Sequence, residues 1–345
     1  MNALHALLAS CLPFIFTSRI LLLLVGLLFA FYDFDPLFYD ICSVKFEFNI
    51  VGQKFCTFMA FFTALFYEPV YLLSFIAMTG IAISSDIFHM YIWLEVLTIA
   101  FLFIQTNKQV VNLYWKAQLL LSILILWATL YCYNCTGSLT IPIALSEPSS
   151  AMIWIFFWLL KCGFPWIIIC YRDIEDKHIA YVSALAKIGI VAVSKGEINL
   201  TIAILFTIIG IILALSQHSY REVLCGHVIN QVGLILIAIS LDSKLGAIYL
   251  VYATIIKAIL FTTQDQGRLS AIYILALAGL PPNIIFFIKL SLSSISYLGL
   301  IPLISSFFTF LSLKKFILKG RDNFQEIYTI CLINLYILID FIYGS

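Results

Sequence analysis

The sequence predicts an all-α fold, a polytopic transmembrane helix bundle, and three observations carry that prediction. Of 345 residues, 63% are hydrophobic and 11% charged, where a soluble domain averages roughly 45–50% apolar and about 25% charged residues. Apolar runs of the roughly 20 residues that cross about 30 Å of hydrocarbon recur along the whole chain. The intervals between them are short, so no soluble domain is inserted. The 19 Lys and Arg balance the 18 Asp and Glu to a net charge of +1, which leaves no basic stripe for nucleic acid.

Taken in order, the runs lie near 11–32, 55–68, 69–85, 87–105, 115–134, 150–170 and 179–195, then 199–216, 224–241, 246–263, 269–290, 293–313 and 327–343. Glu68-Pro69 leaves the second and third short, so eleven to thirteen helices are expected in one integral membrane domain over 1–345. The first run follows a segment without an Arg-rich presequence, which predicts insertion where the chain is made. Residues 33–54, with four acids and two lysines, read as an interfacial loop. With thirteen helices, ten Lys and Arg of the short loops fall on the N-terminal side and four on the other. That bias puts the N-terminus on the matrix or cytoplasmic side.

The nine cysteines are scattered, and only Cys132-Tyr-Asn-Cys135 has a metal-like or redox-like spacing. Without a second pair or nearby histidines, they read as small buried hydrophobes. The expectation is no metal site and no disulfide framework.

Charge inside the membrane is the strongest functional signal. Placing Lys or Asp at a helix centre costs roughly 2.5–3.5 kcal/mol on insertion scales, and such residues mark ion or proton paths. Glu95, Lys161, Lys187, Lys257 and Lys289 fall inside predicted spans. Desolvation disfavours a charged lysine and a nearby carboxylate restores it, so a Lys–Glu pair can switch protonation state. Each long lysine can instead snorkel to an interface, and both readings stand for Lys257 and Lys289. Lys161-Cys-Gly163-Phe-Pro165 and Gly279-Leu-Pro281-Pro282 add helix breaks beside two of these charges. Broken helices next to intramembrane charge are how many transporters build ion sites; a plain loop between two helices is the other reading.

Four segments carry a family resemblance. Ala214-Leu-Ser-Gln217 through Arg221, Leu224 and Ile229 to Gly233 is similar to Ala-Leu-x-Gln-x-x-x-Lys-Arg-x-Leu-x-x-Ser-Ser-Ile-x-x-x-Gly, departing at Glu222 and at His227-Val228. Leu277-Ala-Gly279-Leu-Pro281-Pro282 through Phe286 to Lys289 is similar to Leu-Ala-Gly-Ile-Pro-Pro-Thr-x-Gly-Phe-x-x-Lys, with Ile285 for the second glycine. Asp86 to Glu95 looks like an acidic helix, and Lys161-Cys-Gly163-Phe-Pro165 like a lysine helix. Tyr114-Trp-Lys-Ala-Gln118 adds a weaker match to a Tyr-Phe-x-x-Gln helix start. Together they resemble the antiporter-like membrane subunits of respiratory complex I.

That resemblance implies an antiporter-like fold with broken helices and a core over 69–290. It matches Glu95 to the family's glutamate, Lys161 to its partner lysine, Lys187 to the central connecting lysine and Lys289 to the lysine of the second half-channel. Lys257 joins the relay as a further charge inside a predicted span, and Tyr252–Phe261 has a slight likeness to a His-x-x-x-Lys-Ala-x-Leu-Phe helix of the subunit 5 branch, with Tyr252 in place of the His. The length is nearest the subunit 2 branch, and one helix fewer than the bacterial form agrees with the N-terminal side read from loop charges. The implied activity is proton translocation in a H+-translocating NADH:ubiquinone reductase of the mitochondrial inner membrane. This chain would carry no redox centre, with NADH, FMN, iron–sulfur clusters and ubiquinone bound by other subunits. Its partners would be membrane-arm subunits, including small core subunits and the subunit 4 antiporter-like chain, and membrane lipids, some structural. A subunit of a multi-subunit cation/proton antiporter, or a structural subunit with a decayed channel, remains open.

Overall fold

Apolar runs without interior turn signals close into helices, because in hydrocarbon every backbone N–H and C=O must be satisfied within the segment. The computed structural model describes residues 9–13, 18–31, 37–39, 44–46, 49–65, 69–104, 108–163, 181, 183–184, 187–262, 267–281 and 283–317. Its contacts divide the chain into a first unit, Met1–Ile202, and a second, Ala203–Ser345.

The first unit runs α1 (Arg19–Phe31), α2 (Ile50–Leu65), α3 (Pro69–Ile83), α4 (Ile87–Ile104), α5 (Lys108–Thr136), the single turn α6 (Ile141–Ala144), α7 (Pro148–Gly163) and α8 (Ile188–Val193). Between α1 and α2 lies a minimal antiparallel hairpin, β1 (Leu37–Tyr39) against β2 (Val44–Phe46), with Phe38 opposite Lys45. It falls within the interval read as an interfacial loop, and α2 also begins inside that interval.

Side chains fix where these helices start. Asn49 Oδ1 accepts from Gly52 N at 2.7 Å. Asp86 Oδ1 accepts from Phe88 N at 3.0 Å and His89 N at 2.7 Å. Glu147 Oε2 accepts from Ser150 N at 2.8 Å and Ser149 Oγ at 2.6 Å. Each satisfies N–H groups that a first helical turn leaves without partners. The Ser149 hydroxyl and the Ser150 N–H also hold the Glu147 carboxyl below its usual range. Consecutive helices pack side by side from α1 to α5, α5 packs on α7, and α8 packs on α2, α3 and α7.

The second unit holds α9 (Leu200–Ser216, which starts at the boundary), α10 (Tyr220–Leu241), α11 (Ser243–Thr262), α12 (Gly267–Ala278), α13 (Ile284–Ile295) and α14 (Leu300–Ile317). A Cβ on Gly210 would strike the backbone of Asn230, and one on Gly233 would strike Ala203 O and Thr207. These glycines let α9 and α10 approach to backbone contact, a common device between membrane helices. α10 then packs on α11, α13 and α14.

Helices apolar on both faces belong in a bilayer. α5 exposes Leu119, Leu120, Ile123, Trp127 and Leu130 while burying Leu121, Ile125 and Ala128. Trp115–Thr136, Tyr220–Leu241 and Ser243–Thr262 are long and apolar enough to cross a membrane by themselves. The all-α prediction holds, and the chain is a multi-pass membrane protein.

The structure differs from the sequence reading at one span, which is broken, and at several boundaries, with α2 starting at Ile50 and α5 at Lys108, each before the expected position. The run 269–290 is two helices, α12 and α13. Gly279, at φ +68°, ends α12, with its N–H donating to Ala276 O at 3.0 Å and Leu280 N to Leu275 O at 3.1 Å. That pattern is a Schellman cap, and Asn283 then caps α13 through Oδ1 to Ile285 N at 2.9 Å. The run 293–313 starts late because Ser296 leaves the helix and a 3-10 turn, Tyr297–Gly299, precedes α14. The run 327–343, Pro165, Pro282 and most of the stretch between α7 and α8 lie outside the described residues.

Candidate functional site

The α5–α7 contact is an antiparallel polar zipper through otherwise apolar surfaces. Cys132 Sγ donates to Ser150 O at 3.5 Å, Trp154 Nε1 to Thr129 Oγ1 at 3.3 Å and Gln118 Nε2 to Lys161 O at 3.4 Å. With Trp154 stacked on Trp158, ring centroids 4.9 Å apart, this register sets Lys161 opposite the turn that carries Ser122.

There Lys161 Nζ donates to Glu95 Oε1 on α4 and, at 2.6 Å, to Ser122 Oγ. Ser122 Oγ lies 3.0 Å from Glu95 Oε2 and 2.8 Å from Gln118 O, and donates its one hydrogen to either. Three helices thus meet at one acid, one hydroxyl and one ammonium. The Lys161 side chain is 1% exposed and that of Glu95 30%. Glu95 therefore retains an open side while Lys161 is enclosed. Charge-assisted bonds of this kind are about twice as strong as neutral ones, and the hydroxyl gives the ammonium a second partner when the carboxylate moves.

Near the start of α4, Asp86 Oδ2 pairs with His89 Nδ1, so Asp86 caps the helix rather than joining Glu95. Lys187 is fully buried at the N-terminal end of α8, the helix that packs on the Lys161 helix.

In the second unit Lys289, 1% exposed, donates to Ser306 Oγ on α14 at 2.8 Å and to Ala278 O at 3.4 Å. Ala278 is the last residue of α12, so the carbonyl freed by the helix break is met by buried Lys289 of the following helix. A Cβ on Gly279 would stand 2.9 Å from Lys289 Nζ, so glycine serves both the turn and the access of the ammonium. Lys257, on α11, is fully buried. α10 and α14 form a second polar zipper: His227 Nε2 lies 2.7 Å from Ser312 Oγ, and Asn230 Nδ2 donates to Ser305 Oγ at 3.1 Å.

The five predicted residues thus divide between the units, Glu95, Lys161 and Lys187 in the first and Lys257 and Lys289 in the second. The structure brings Glu95 and Lys161 into direct contact. Sequence reasoning missed Ser122 and Ser306. Their one signal, a small hydroxyl inside an apolar helix, is shared by many residues that merely bond their own backbone, as Thr98 does to Leu94 O. Among the described residues no three His, Cys, Asp or Glu side chains gather as a metal group would.

Comparison with known proteins places this geometry in a wider setting. No family model matches the chain. Over 318 residues it is 25% identical to a Na(+)/H(+) antiporter subunit of Alkalihalophilus pseudofirmus, taking in 73% of this chain and 64% of that protein. The chain thus spans less than two thirds of that relative's length. A chain of the Mrp complex from Dietzia superposes with TM-score 0.72 at 20% identity, covering 92% of this chain and 78% of its own. A chain of respiratory complex I from Thermus thermophilus gives 0.71 at 16% identity, covering 91% and 89%. The chain has the antiporter-like fold. A chain of the membrane-bound sulfane sulfur reductase, an archaeal respiratory membrane complex, shares it over 99% of the present sequence at TM-score 0.70 and 16% identity.

Proposed function

We propose that this antiporter-like chain translocates protons as one membrane subunit of a multi-subunit energy-transducing complex. The Glu95–Ser122–Lys161 contact carries the reading. Burial at membrane depth disfavours a charged lysine, and an attending carboxylate holds the charge in place. Moving Glu95 toward its open side withdraws that partner. Lys161 then passes a proton to the next acceptor, with the Ser122 hydroxyl holding the nitrogen in place. Lys187 connects onward, and Lys289 and Lys257 serve the second unit. The 30% exposure of Glu95 also supports a complex, because an acid facing lipid is costly and a neighbouring subunit removes that cost.

The finer assignment is subunit 2 of the membrane arm of NADH:ubiquinone oxidoreductase, in the mitochondrial inner membrane with the N-terminus toward the matrix. There, NADH, FMN, iron–sulfur clusters and ubiquinone belong to other subunits, and small core subunits and the subunit 4 chain adjoin this one. The motif order from Asp86 to Lys289 and the complex I superposition support it. A second reading, a subunit of a cation/proton antiporter working without redox partners, is favoured by the sequence likeness to the Na(+)/H(+) antiporter subunit.

Gentle solubilisation of native membranes, native-gel separation with an NADH-dehydrogenase stain and peptide mass spectrometry of the bands separates the two. The subunit 2 assignment predicts this chain in a large NADH-oxidising band. Its presence solely in a smaller, inactive particle, with sodium-dependent proton exchange, contradicts that assignment and supports the antiporter.

A further inference from the structure

We propose that His227 is a further proton-carrying residue of the second unit, taking up and releasing a proton at Nδ1; this rests on the translocation reading above. His227 stands where the resembling family has a serine, so the resemblance gives it no role. It is 1% exposed on α10, a helix whose residues from Val223 to Ile239 are all buried.

Ser312 Oγ lies 2.9 Å from Thr309 O and 2.7 Å from His227 Nε2, and can donate its one hydrogen to either. With that hydrogen on Thr309 O, the serine oxygen accepts from Nε2, and the basic lone pair of the neutral ring sits at Nδ1. We take this tautomer. Nδ1 is buried and has no hydrogen-bond partner among the described residues. One turn along the same face, Gln231 Oε1 is likewise buried with no such partner. Buried polar atoms are normally satisfied by protein or by water. Two such atoms lie on one face of one buried helix.

The charged groups acting on the ring are Lys257 from α11 and Lys289 from α13. Tyr249 is the other buried titratable group of α11. The described contacts of α14 with α10 contribute hydroxyls, from Ser305, Thr309 and Ser312. The step balances without a redox partner. An N–H bond of a lysine ammonium breaks, directly or through water, and an N–H bond forms at His227 Nδ1. This leaves a neutral amine and an imidazolium still donating from Nε2 to Ser312. The reverse transfer returns the proton to either lysine.

The test follows proton uptake between about pH 5 and about pH 9 in membrane vesicles holding the complete native assembly. His227→Gln keeps an N–H donor for Ser312 but does not titrate. It is expected to lower flux by about tenfold or more and to remove one limb of the pH profile. Ser312→Ala, which retains the ring, is expected to shift the profile with a smaller loss, and decides the matter alone if His227→Gln fails to assemble. Wild-type flux and profile in the assembled variants, with transport lost in Lys161→Met, would overturn the role of His227 and leave the translocation reading standing. Normal transport in Lys161→Met would remove that reading, and this inference with it.

Discussion

Ser122 illustrates how one hydroxyl converts a pair into a device. Lys161 bonds Glu95 and Ser122 together, and Ser122 is the partner that stays when the carboxylate leaves. Ser122→Ala removes one charge-assisted bond and should slow proton transfer about tenfold, equivalent to about 1.4 kcal/mol. Ser122→Thr should retain most of the rate. Flux measured on both variants checks this; equal rates in Ala and wild type would make the hydroxyl a bystander. The charges themselves were legible in the sequence, because an intramembrane Glu or Lys is expensive and so conspicuous. Ser122, Ser306 and Ser312 were not, since a serine in a helix costs little and its partner depends on helix register. His227 was visible only as a departure from a motif, and its tautomer depends on where the Ser312 hydrogen points.

At the level of elements, the break between α12 and α13 was half legible. Gly279-Leu-Pro281-Pro282 announced an interruption, but the Schellman cap, the Asn283 cap and the capture of Ala278 O by Lys289 depend on the backbone path. Gly279→Ala should destabilise the assembly by about 1–2 kcal/mol, the cost of a left-handed conformation for an L-residue. It should also disturb Lys289, whose Nζ the new Cβ would approach to 2.9 Å. A lowered thermal midpoint together with reduced flux is the expected pair of results. An unchanged midpoint would mean that the turn relaxes and does not constrain the lysine. Helix existence followed from apolar runs, whereas the start of α14 was missed, because Ser296 and the turn after it look like ordinary small residues in an apolar stretch.

For the whole molecule, composition and loop spacing already dictated a multi-pass bundle, and the apolar outer faces of helices such as α5 agree. What no single span revealed is the division of the five charged residues between two units, with a polar zipper in each: α5 against α7, and α10 against α14. The proposed function asks those zippers to hold charge at membrane depth while one carboxylate, Glu95, stays free to move.

The most direct test compares proton flux in vesicles bearing the wild-type assembly and the Lys161→Met variant, with assembly verified on a native gel. Methionine preserves much of the side-chain volume and removes the ammonium. The account predicts a normally assembled particle whose proton transport falls by about tenfold or more. Normal proton stoichiometry in that particle would contradict it, and would leave Glu95 and Lys161 as a structural ion pair.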